Sequence, residues 1–592
     1  MVRRARYGWR DGSEDGTRDG ARDGSRDGSR DGSRDGSRDG SRDGRQQRTR
    51  HGSEGRAHAR WRPGPLRARR SALALALWAG LQAGWPAVAG AQAAPAAPPA
   101  EVEFTVERFE VTGDNPLGRE RALEVLRPYL GPQRGLARLQ EAVKALERAL
   151  QDAGFGLYRV VLPPQDVEGA LRIGIEPIRL VSLRIVGNQV FDAANIRRAV
   201  PGLRENTSPD MRAIARQLAL ANESAARSMV LRLAESLGEP GVEATLEVTE
   251  RSVVTAHAAL NNAGTADTGR YRLVGVVQHH NLFNRDHSAS VAYTTSPGHV
   301  GDVTQVGLGY RVPFYEAGGM LGASYSWSSV NSGALGSGQT ITGRGSTVGL
   351  NWTHTLEPVG DYRSQIIVGL EDKLFRAARI GGVALPTGDV RSRPWSVEYA
   401  GRNETEALSS SGSLTWARNL PAGRDNDDAA YAANRAGAGA RWQAWRFNWA
   451  LAARVGGGWA VSLAGRGQYA RAPLISGEQF GAGGAGSVRG FNERALTGDR
   501  GASYSLEVWS PPWQDNLRWL GFVDTARLVR LQSAAGVPPL EGIASAGLGL
   551  RYTLPGAAGA LALDVARVLQ GSSVPLVTRG AVRVHLSLTA RF

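Results

Sequence analysis

An arginine and an aspartate are the two residues of this chain whose types and surroundings best suit a specific chemical contact. Arg489 lies in a glycine-rich stretch, GSVRGF at 486–491, between two runs that alternate polar and apolar residues. Asp524 lies downstream in GFVDTA at 521–526, on another alternating run. Because a planar guanidinium binds a carboxylate through two parallel hydrogen bonds, this pair could fasten a long loop to a nearby strand.

Patterns of catalytic and cofactor-binding residues do not occur in the sequence. The glycines of 481–486 have a spacing that could suggest phosphate binding, but they do not open a helix after a parallel strand. His279 and His280 lack further metal ligands nearby, and there is no His-Glu-x-x-His, Gly-x-Ser-x-Gly or Walker motif. We therefore expect no enzyme activity, no cofactor and no metal site.

Alternating runs fill residues 251–592, the part of the chain that must position Arg489 and Asp524. In the final run, apolar Val582, Val584, Leu586, Leu588, Ala590 and Phe592 alternate with Arg583, His585, Ser587, Thr589 and Arg591. A strand with one face in lipid and the other in water has this pattern. About sixteen such runs predict a mostly β fold with a 16-stranded antiparallel transmembrane β-barrel. Near the run ends, Trp352, Trp395 and Trp509 are candidates for aromatic girdles.

The connections between these runs differ in length. The longest are Asn331–Gln339, Ala377–Val390, Asn419–Ala436 and Pro473–Arg500, whereas the turns at 284–286 and 554–556 are short. Transmembrane barrels place long loops outside the cell and short turns on the periplasmic side. The loop 473–500, which carries Arg489, therefore starts on the extracellular side, and a loop of this length without secondary structure is usually functional.

Two similar soluble modules precede the barrel, at residues 103–177 and 178–250. Each reads as strand, helix, helix, strand, strand, and the repetition indicates tandem modules rather than one domain. A small mixed sheet leaves an edge to which an unfolded chain can add as another strand. The alternative is that the modules are only spacers.

The N-terminal region divides into a tail, a leader and a linker. Residues 1–66 contain Arg-Asp-Gly-Ser repeats that cannot bury a core, so we expect either a disordered tail or a misassigned start. Residues 67–93 have the basic, apolar and small-residue regions of a signal peptide, with a single membrane anchor as the alternative. Residues 94–102 form a linker. Much of the net charge of +15 lies in the tail and leader, so we expect no nucleic-acid partner.

Several of these features together resemble a family of transporters. The turn Pro163, Pro164, Gln165, Asp166 and the strand after it look like the first POTRA module of two-partner secretion transporters, the TpsB family, which secrete haemolysins and adhesins. The second module departs from the family pattern, because its Asn-Pro-x-Arg type turn reads NESAAR at 222–227. The loop motif Val488, Arg489, Gly490 and Phe491 is shared with barrel-assembly proteins such as BamA and TamA.

The resemblance implies a site. The long loop would fold back into the barrel, where Arg489 would pair with Asp524 on the strand from about Arg518 to Leu528. The wall motif of the family is Phe-x-Asp-x-Gly; Phe522 and Asp524 match it, and Ala526 replaces the glycine. The alternative is that Arg489 is a solvated loop arginine. The terminal Phe592 resembles the targeting signal of outer-membrane proteins.

The resemblance also implies partners and a location. We expect a monomer in the bacterial outer membrane, with periplasmic POTRA modules that capture an unfolded TpsA-like exoprotein and a barrel that exports it without ATP. Other expected partners are outer-membrane lipid and, during biogenesis, the barrel assembly machinery. The main alternative is an assembly factor of the BamA or TamA type, and a passive porin is the third. The family often carries a plug helix before the first POTRA, for which residues 94–102 leave no room.

Overall fold

The computed structural model describes residues 103–592 except 267, 330–343, 378, 381–382, 385–387, 515 and 574–575. The tail, leader and linker predicted at 1–66, 67–93 and 94–102, and the loop predicted at Asn331–Gln339, lie outside the described residues. Within the described part of the chain, no helix has the length and apolar character needed to cross a membrane.

The first module is a four-stranded sheet with two helices that share its apolar core. Its elements are β1 (Glu103–Gly113), α1 (Arg119–Leu126), β2 (Gly131–Arg134), α2 (Ala137–Asp152), β3 (Tyr158–Val161) and β4 (Gly169–Pro177). The strand order is β2-β1-β4-β3, with β1 and β4 parallel. The helix α2 buries Leu139, Leu146 and Leu150, whose spacing predicts an apolar stripe. The short edge strand β2 was not predicted, because Gly131 and Pro132 read only as a helix stop.

The second module repeats this order without the additional edge strand. Its elements are β5 (Leu180–Val186), α3 (Ala193–Ala199), α4 (Met211–Ala221), β6 (Arg227–Glu235) and β7 (Val242–Glu250). The strand order is β5-β7-β6. Asp192 and Asp210 begin the two helices, since their carboxylates accept hydrogen bonds from backbone N–H groups of the first turn. Ile196 of α3 and Ile214 of α4 are buried in the core.

The remaining residues form a closed antiparallel barrel. Its strands are β8 (Val254–Asn261), β9 (Arg272–Leu282), β10 (His287–Thr295), β11 (Thr304–Phe314), β12 (Gly319–Ser328), β13 (Gly345–Thr355), β14 (Tyr362–Phe375), β17 (Val390–Ser392), β18 (Pro394–Glu404), β19 (Leu408–Asn419), β20 (Gln443–Gly456), β21 (Trp459–Ala470), β24 (Arg500–Trp509), β25 (Leu517–Val529), β26 (Leu540–Thr553), β27 (Gly559–Gln570) and β30 (Val582–Arg591). Both β17 and β18 pair with β14, so they form one strand interrupted at Arg393. The described residues thus make a 16-stranded barrel, which confirms the predicted fold class.

Smaller elements lie in the loops. They are β15 (Arg379–Ile380), β16 (Val383–Ala384), the helix α5 (Asp428–Asn434), β22 (Phe480–Ala482), β23 (Leu496–Gly498), β28 (Ser572–Ser573) and β29 (Leu576–Val577). The long connections Asn419–Ala436 and Pro473–Arg500 join strands at the rim opposite the modules, and the short turns at 284–286 and 554–556 lie at the rim near them. The described loop between β21 and β24 contains the β22–β23 hairpin, so the expectation of a loop without secondary structure is wrong.

The barrel closes by pairing its first and last strands. In β8 and β30, Asn261 lies opposite Ser587 and His257 lies opposite Arg591. Beyond both ends of that register, Phe592 exchanges backbone hydrogen bonds with Ala256, and the side chain of Asn262 bonds to the backbone of β30. The side chain of Phe592 is 80% exposed on the outer surface, together with Val582, Val584, Leu586 and Leu588.

Trp509 faces the lumen of the barrel rather than the lipid. Trp509 was predicted as part of an outer girdle, but this prediction is wrong. Its ring packs near the buried Leu520 and Phe522, and its Nε1–H donates to Glu507 Oε2 at 3.0 Å. Because β24 exposes Leu506 and Val508, the odd-numbered residues at its end face the lumen.

Candidate functional site: the loop inside the barrel

The loop between β21 and β24 lies against the inner wall of the barrel. Its boundaries are 471–499, since Arg500, the end of the predicted loop 473–500, is already the first residue of β24. The hairpin of β22 and β23 forms its stem, and the tip at 483–495 contains the GSVRGF stretch. Backbone hydrogen bonds from Gly484 N to Val488 O at 3.1 Å and from Ser487 N to Gly484 O at 3.1 Å fold the tip upon itself.

The tip presents Arg489 to Asp524 on β25. The guanidinium donates from Nε to Asp524 Oδ2 at 2.7 Å and from Nη2 to Asp524 Oδ1 at 2.8 Å. The backbone N–H of Arg489 donates to the same Oδ2 at 3.1 Å. Arg489 is 3% exposed and Asp524 is fully buried, so this contact is shielded from solvent.

Neighbouring strands complete the polar surroundings of the arginine. Arg489 Nη1 donates to Glu507 Oε1 at 2.8 Å, and Nη2 donates to the Ser505 hydroxyl at 3.2 Å. Ser505 lies directly opposite Asp524 and donates to Asp524 Oδ1 at 2.7 Å. Asp564 Oδ1 on β27 is 3.8 Å from Arg489 Nη1 and is itself bound by Arg551. One loop arginine thus faces three carboxylates of the wall.

Phe522 supports the guanidinium from one side. The Cζ atom of Arg489 lies 3.5 Å from the centroid of the Phe522 ring, close enough for a cation–π contact. The ring lies over Gly547 of β26, where a Cβ atom would come within 2.6 Å of the ring carbon Cζ. A side chain at Gly547 would therefore collide both with this ring and with the carbonyl oxygen of Val565, which lies still closer to the same Cβ position.

The backbone of Gly490 approaches the wall on the other side. Its N–H donates to His585 Nε2 at 2.9 Å, so this ring nitrogen is an acceptor. Gly490 has a φ of 93°, a conformation that favours glycine. A Cβ atom there would lie only 3.3 Å from Val568 Cγ2.

Apolar contacts surround this polar core. Val488 and Phe491 of the tip are buried with Ala526, Leu528 and Ile543 of the wall. Ala526, at the position where the resemblance implies glycine, lies in this apolar cluster, and its methyl group takes part in the packing. The tip is therefore held by both charge-assisted hydrogen bonds and buried apolar area.

The amino-acid sequence matches the family model described as haemolysin secretion/activation protein ShlB/FhaC/HecB over residues 243–552, just over half of the chain. The chain belongs to this family. The model of the ShlB-type POTRA domain matches residues 104–177, the first module. Membership confirms a TpsB-type secretion transporter whose barrel lies in the outer membrane and whose N-terminal modules lie in the periplasm.

Solved structures share the fold of this family member. CdiB from Escherichia coli superposes with a TM-score of 0.69 at 19% identity, covering 85% of this chain and 93% of that chain. CdiB from Acinetobacter baumannii gives a TM-score of 0.65 at 18% identity, covering 83% and 90%. No curated protein sequence matches this chain.

The loop of this family member is also held at its outer end. Asp499, just before β24, is fully buried and accepts hydrogen bonds from Arg435 Nη1 at 2.6 Å and Nη2 at 2.9 Å. It also accepts from the backbone N–H of Leu474 at 2.8 Å and of Leu531 at 2.7 Å. Because Arg435 follows α5, this contact joins three extracellular loops. The sequence analysis did not single out either residue.

Other residues near the tip were also missed. Glu507, Asp564 and His585 lie on three different strands and meet only because the barrel brings them together. The available signal was a charged or titratable residue on the polar face of an alternating run. Many residues of the barrel carry that signal, so it does not distinguish these three from the rest of the lumen.

The predicted motif in the first module lies in the loop between β3 and β4. The Gln165 side chain donates to Arg172 O at 2.8 Å and accepts from Arg172 N at 2.7 Å, so it continues the sheet where β3 has ended. Pro163, Pro164 and Asp166 are in the same loop, and both prolines are exposed. The motif is far in sequence from the Arg489 site and takes no part in it.

Proposed function

We propose that this transporter captures an unfolded TpsA-like exoprotein with its periplasmic modules and moves it through the barrel lumen to the cell surface. The observation that carries the proposal is the pairing of β8 with β30 from His257 to Asn261, extended by the backbone bonds of Ala256 with Phe592 and by the side chain of Asn262. A wall closed in this way favours a route through the lumen. An assembly factor of the BamA or TamA type would need this pairing to open sideways.

The loop tip controls that route. Arg489 occupies lumen space and is bound to wall residues on β24 and β25. The exoprotein therefore cannot pass freely until the tip moves or the exoprotein passes beside it. Arg489→Ala and Asp524→Ala should each reduce secretion while the barrel still inserts, as measured from the exoprotein in the medium and from heat-modifiable migration of the barrel. Arg424→Ala is the matched control, because Arg424 is an exposed loop arginine. Unchanged secretion in both site variants would remove the role of the tip.

The exposed edges of the module sheets bind the unfolded exoprotein in this proposal. In the first module β2 and β3 are at the edges, and an extended chain can add to such an edge through backbone hydrogen bonds. Deletion of Glu103–Ile175 should abolish binding of the unfolded exoprotein in a pull-down with the full barrel present. Retained binding would leave the modules as spacers.

Export proceeds without ATP in this proposal. The sequence has no Walker motif, and extracellular folding of the exoprotein would draw the chain outward. Proteoliposomes that contain only the transporter should therefore admit the unfolded exoprotein with no nucleotide added. A requirement for ATP would reject this part of the proposal, and insertion of other barrels instead would favour the assembly alternative.

A further inference from the structure

The second module touches the barrel through a buried cluster around Arg227 of β6. Arg227 Nη2 lies 2.7 Å from Asp286 Oδ2 in the turn between β9 and β10. The same Nη2 is 3.2 Å from the hydroxyl of Tyr315 in the turn between β11 and β12. Asn195 of α3 accepts from Arg227 Nη1 and donates to Asp286 Oδ1 at 3.1 Å. We call these four residues the Arg227 cluster; all of them are buried.

The turn that receives Arg227 has a specific shape. Asn284 and Asp286 have positive φ values of 52° and 60°. Asn281 Oδ1 accepts from the backbone N–H of Asp286 at 3.0 Å, and Asn195 Nδ2 donates to Asn284 O at 2.9 Å. The cluster is therefore a buried network in which both Nη atoms of Arg227 are hydrogen-bonded and its Nε is not, and removal of one member leaves further groups unpaired in a site without solvent.

Further round the rim, the same module is held differently. Glu223, just after α4, pairs with Arg402 Nη2 of β18 at 2.5 Å, and we call this pair the Glu223 latch. Arg212 and Arg216 of α4 form only long ion pairs with Glu357, at 3.6 Å and 3.7 Å. The latch side chains are 34% and 52% exposed, and exposed ion pairs contribute little to stability.

Behind the latch lies a cavity of about 280 Å³ between the end of α4 and the inner wall. Ala219 and Glu223 border it on the module side. The barrel side is polar and includes Gln365, Glu398, Ser413 and Asn448. These side chains offer both donors and acceptors, which suits the backbone of an extended polypeptide better than an apolar ligand.

We propose that this cavity is where an extended segment of the exported polypeptide enters the lumen, and that α4 covers it until the module turns about the Arg227 cluster and the Glu223 latch opens. The difference in burial carries the proposal. A turning module keeps its buried contact, which has several hydrogen bonds, and releases its exposed, weakly held one. This proposal rests on the proposed export function and adds to it the place of entrance.

The first experiment needs no polypeptide. The chain has no cysteine, so Ser413→Cys places one thiol in the cavity, and a membrane-impermeant thiol reagent added on the module side reports its accessibility. Glu223→Arg should speed labelling by up to about fivefold, the change that an exposed ion pair sustains in an equilibrium constant. Addition of Arg402→Glu should restore the slow rate by re-forming the pair with reversed charges. Leu237→Cys, on a fully exposed loop residue, should label at one rate in every background.

The second experiment fixes the module. Cysteines at Glu223 and Arg402 joined by a flexible bismaleimide lock the latch, and cysteines at the exposed Arg198 and Arg285 lock the side of the Arg227 cluster. In planar bilayers, a synthetic unfolded peptide rich in Ser, Thr and Asn is added on the module side. Blocks of the ion current should fall at least about tenfold when the latch is locked, because entrance then requires a broken covalent link. The frequency of blocks should be unchanged when the link between positions 198 and 285 locks the side of the Arg227 cluster.

The outcomes are separable. Equal block frequencies with and without the locked latch, or an unchanged labelling rate in Glu223→Arg, would overturn the proposal. Loss of blocks when the Arg198 and Arg285 side is locked would overturn the pivot at Arg227. Absence of blocks in the unlocked parent would instead count against export through the lumen, and the labelling result would still decide whether α4 moves.

Discussion

Two buried arginines hold this molecule together, and they do so in different surroundings. Arg489 joins the loop tip to the barrel wall, and Arg227 joins the second module to the barrel rim. Each binds an aspartate at 2.7 Å, and each lies over a phenylalanine ring. Yet Arg489 faces three carboxylates, whereas Asp286 is the one carboxylate paired with Arg227 among the described residues.

The difference concerns what remains when the arginine is gone. Without Arg489, the wall keeps three acidic groups in a buried site, and their mutual repulsion adds to the lost contacts. Without Arg227, Asp286 still accepts hydrogen bonds from Asn195 and Tyr315. The charge balance at the tip thus depends on one residue, although Ser505 still donates to Asp524, whereas the charge at the rim is partnered by several residues.

The largest effect is therefore expected for Arg489→Ala. Removing one member of a buried, hydrogen-bonded ion pair costs about 3–5 kcal/mol, and the remaining wall carboxylates place this site at the upper end. The loop should leave the wall, so that a protease added outside cells cuts within 481–498, where burial of the tip should make the parent resistant. Asp524→Ala should act similarly, and the double variant should cost less than the sum of the two. A protected loop in Arg489→Ala would contradict this reading.

Arg227→Ala should be the next most damaging. The expected loss is nearer about 3 kcal/mol of attachment at the rim, since Asp286 keeps two neutral donors. Spin labels on the second module and the barrel should report a broader distance distribution, while the barrel keeps its heat-modifiable migration. Arg232→Ala is the control, because Arg232 lies on the same strand with an exposed side chain. An unchanged distribution in Arg227→Ala would place the attachment elsewhere.

A smaller, pH-dependent effect is expected at Glu250. Its carboxylate binds the backbone of 189–191, a segment that includes Phe191, the ring over which Arg227 lies. Although burial opposes ionisation, the backbone N–H groups of Val190, Phe191 and Gln189 hold the pKa of the Glu250 carboxyl below its ordinary 4.5. A lowered folded-state pKa stabilises the module above about pH 4.5, and this contribution is lost as the pH falls through the folded-state value. Urea unfolding of the module should show lower stability at pH 3.5 than at pH 7. The Glu250→Gln module should be less stable than the parent at pH 7, and its stability should fall less between pH 7 and pH 3.5. An equal fall in the parent and the variant would rule out Glu250 as the cause.

The smallest effects are expected for the two stacked rings. Phe522→Leu and Phe191→Leu each remove a cation–π contact and conserve most of the apolar volume, so about 1 kcal/mol is at stake. The loss should be larger at Phe522, where the arginine lies 3.5 Å from the ring, than at Phe191, where it lies 4.9 Å away. Protease resistance of the loop and spin-label distances at the rim provide the two measurements. The reverse order would show that packing, rather than charge, dominates at these rings.

Much of the fold follows from local patterns in the sequence. The alternation from Val582 to Phe592 assigns the lipid face of the last strand, because successive side chains point to opposite faces. The spacing of Leu139, Leu146 and Leu150 assigns the buried face of α2. Local patterns failed where one signal has two meanings: Gly131 and Pro132 ended a helix and also began an edge strand, and Trp509 could face either lipid or lumen.

The site was only partly predictable. The contact of Arg489 with Asp524 was expected from the resemblance to a family, whereas Glu507, Asp564 and His585 come from strands whose register is set by the whole barrel. Arg227 was noted only as part of an altered motif. Its partners lie in barrel turns 59 and 88 residues away, and no local pattern connects them.

The closure between β8 and β30 has a consequence for how the molecule folds. Asn262 bonds to a carbonyl group 322 residues further along the chain, so the ring of strands cannot be completed until its last segment has arrived. Contacts of such sequence separation form slowly, because the chain loses much conformational freedom before they repay it. Until then β8 has an unpaired edge. The interval between translocation of the first strand and docking of the last is thus the period in which this protein is most exposed to misassembly.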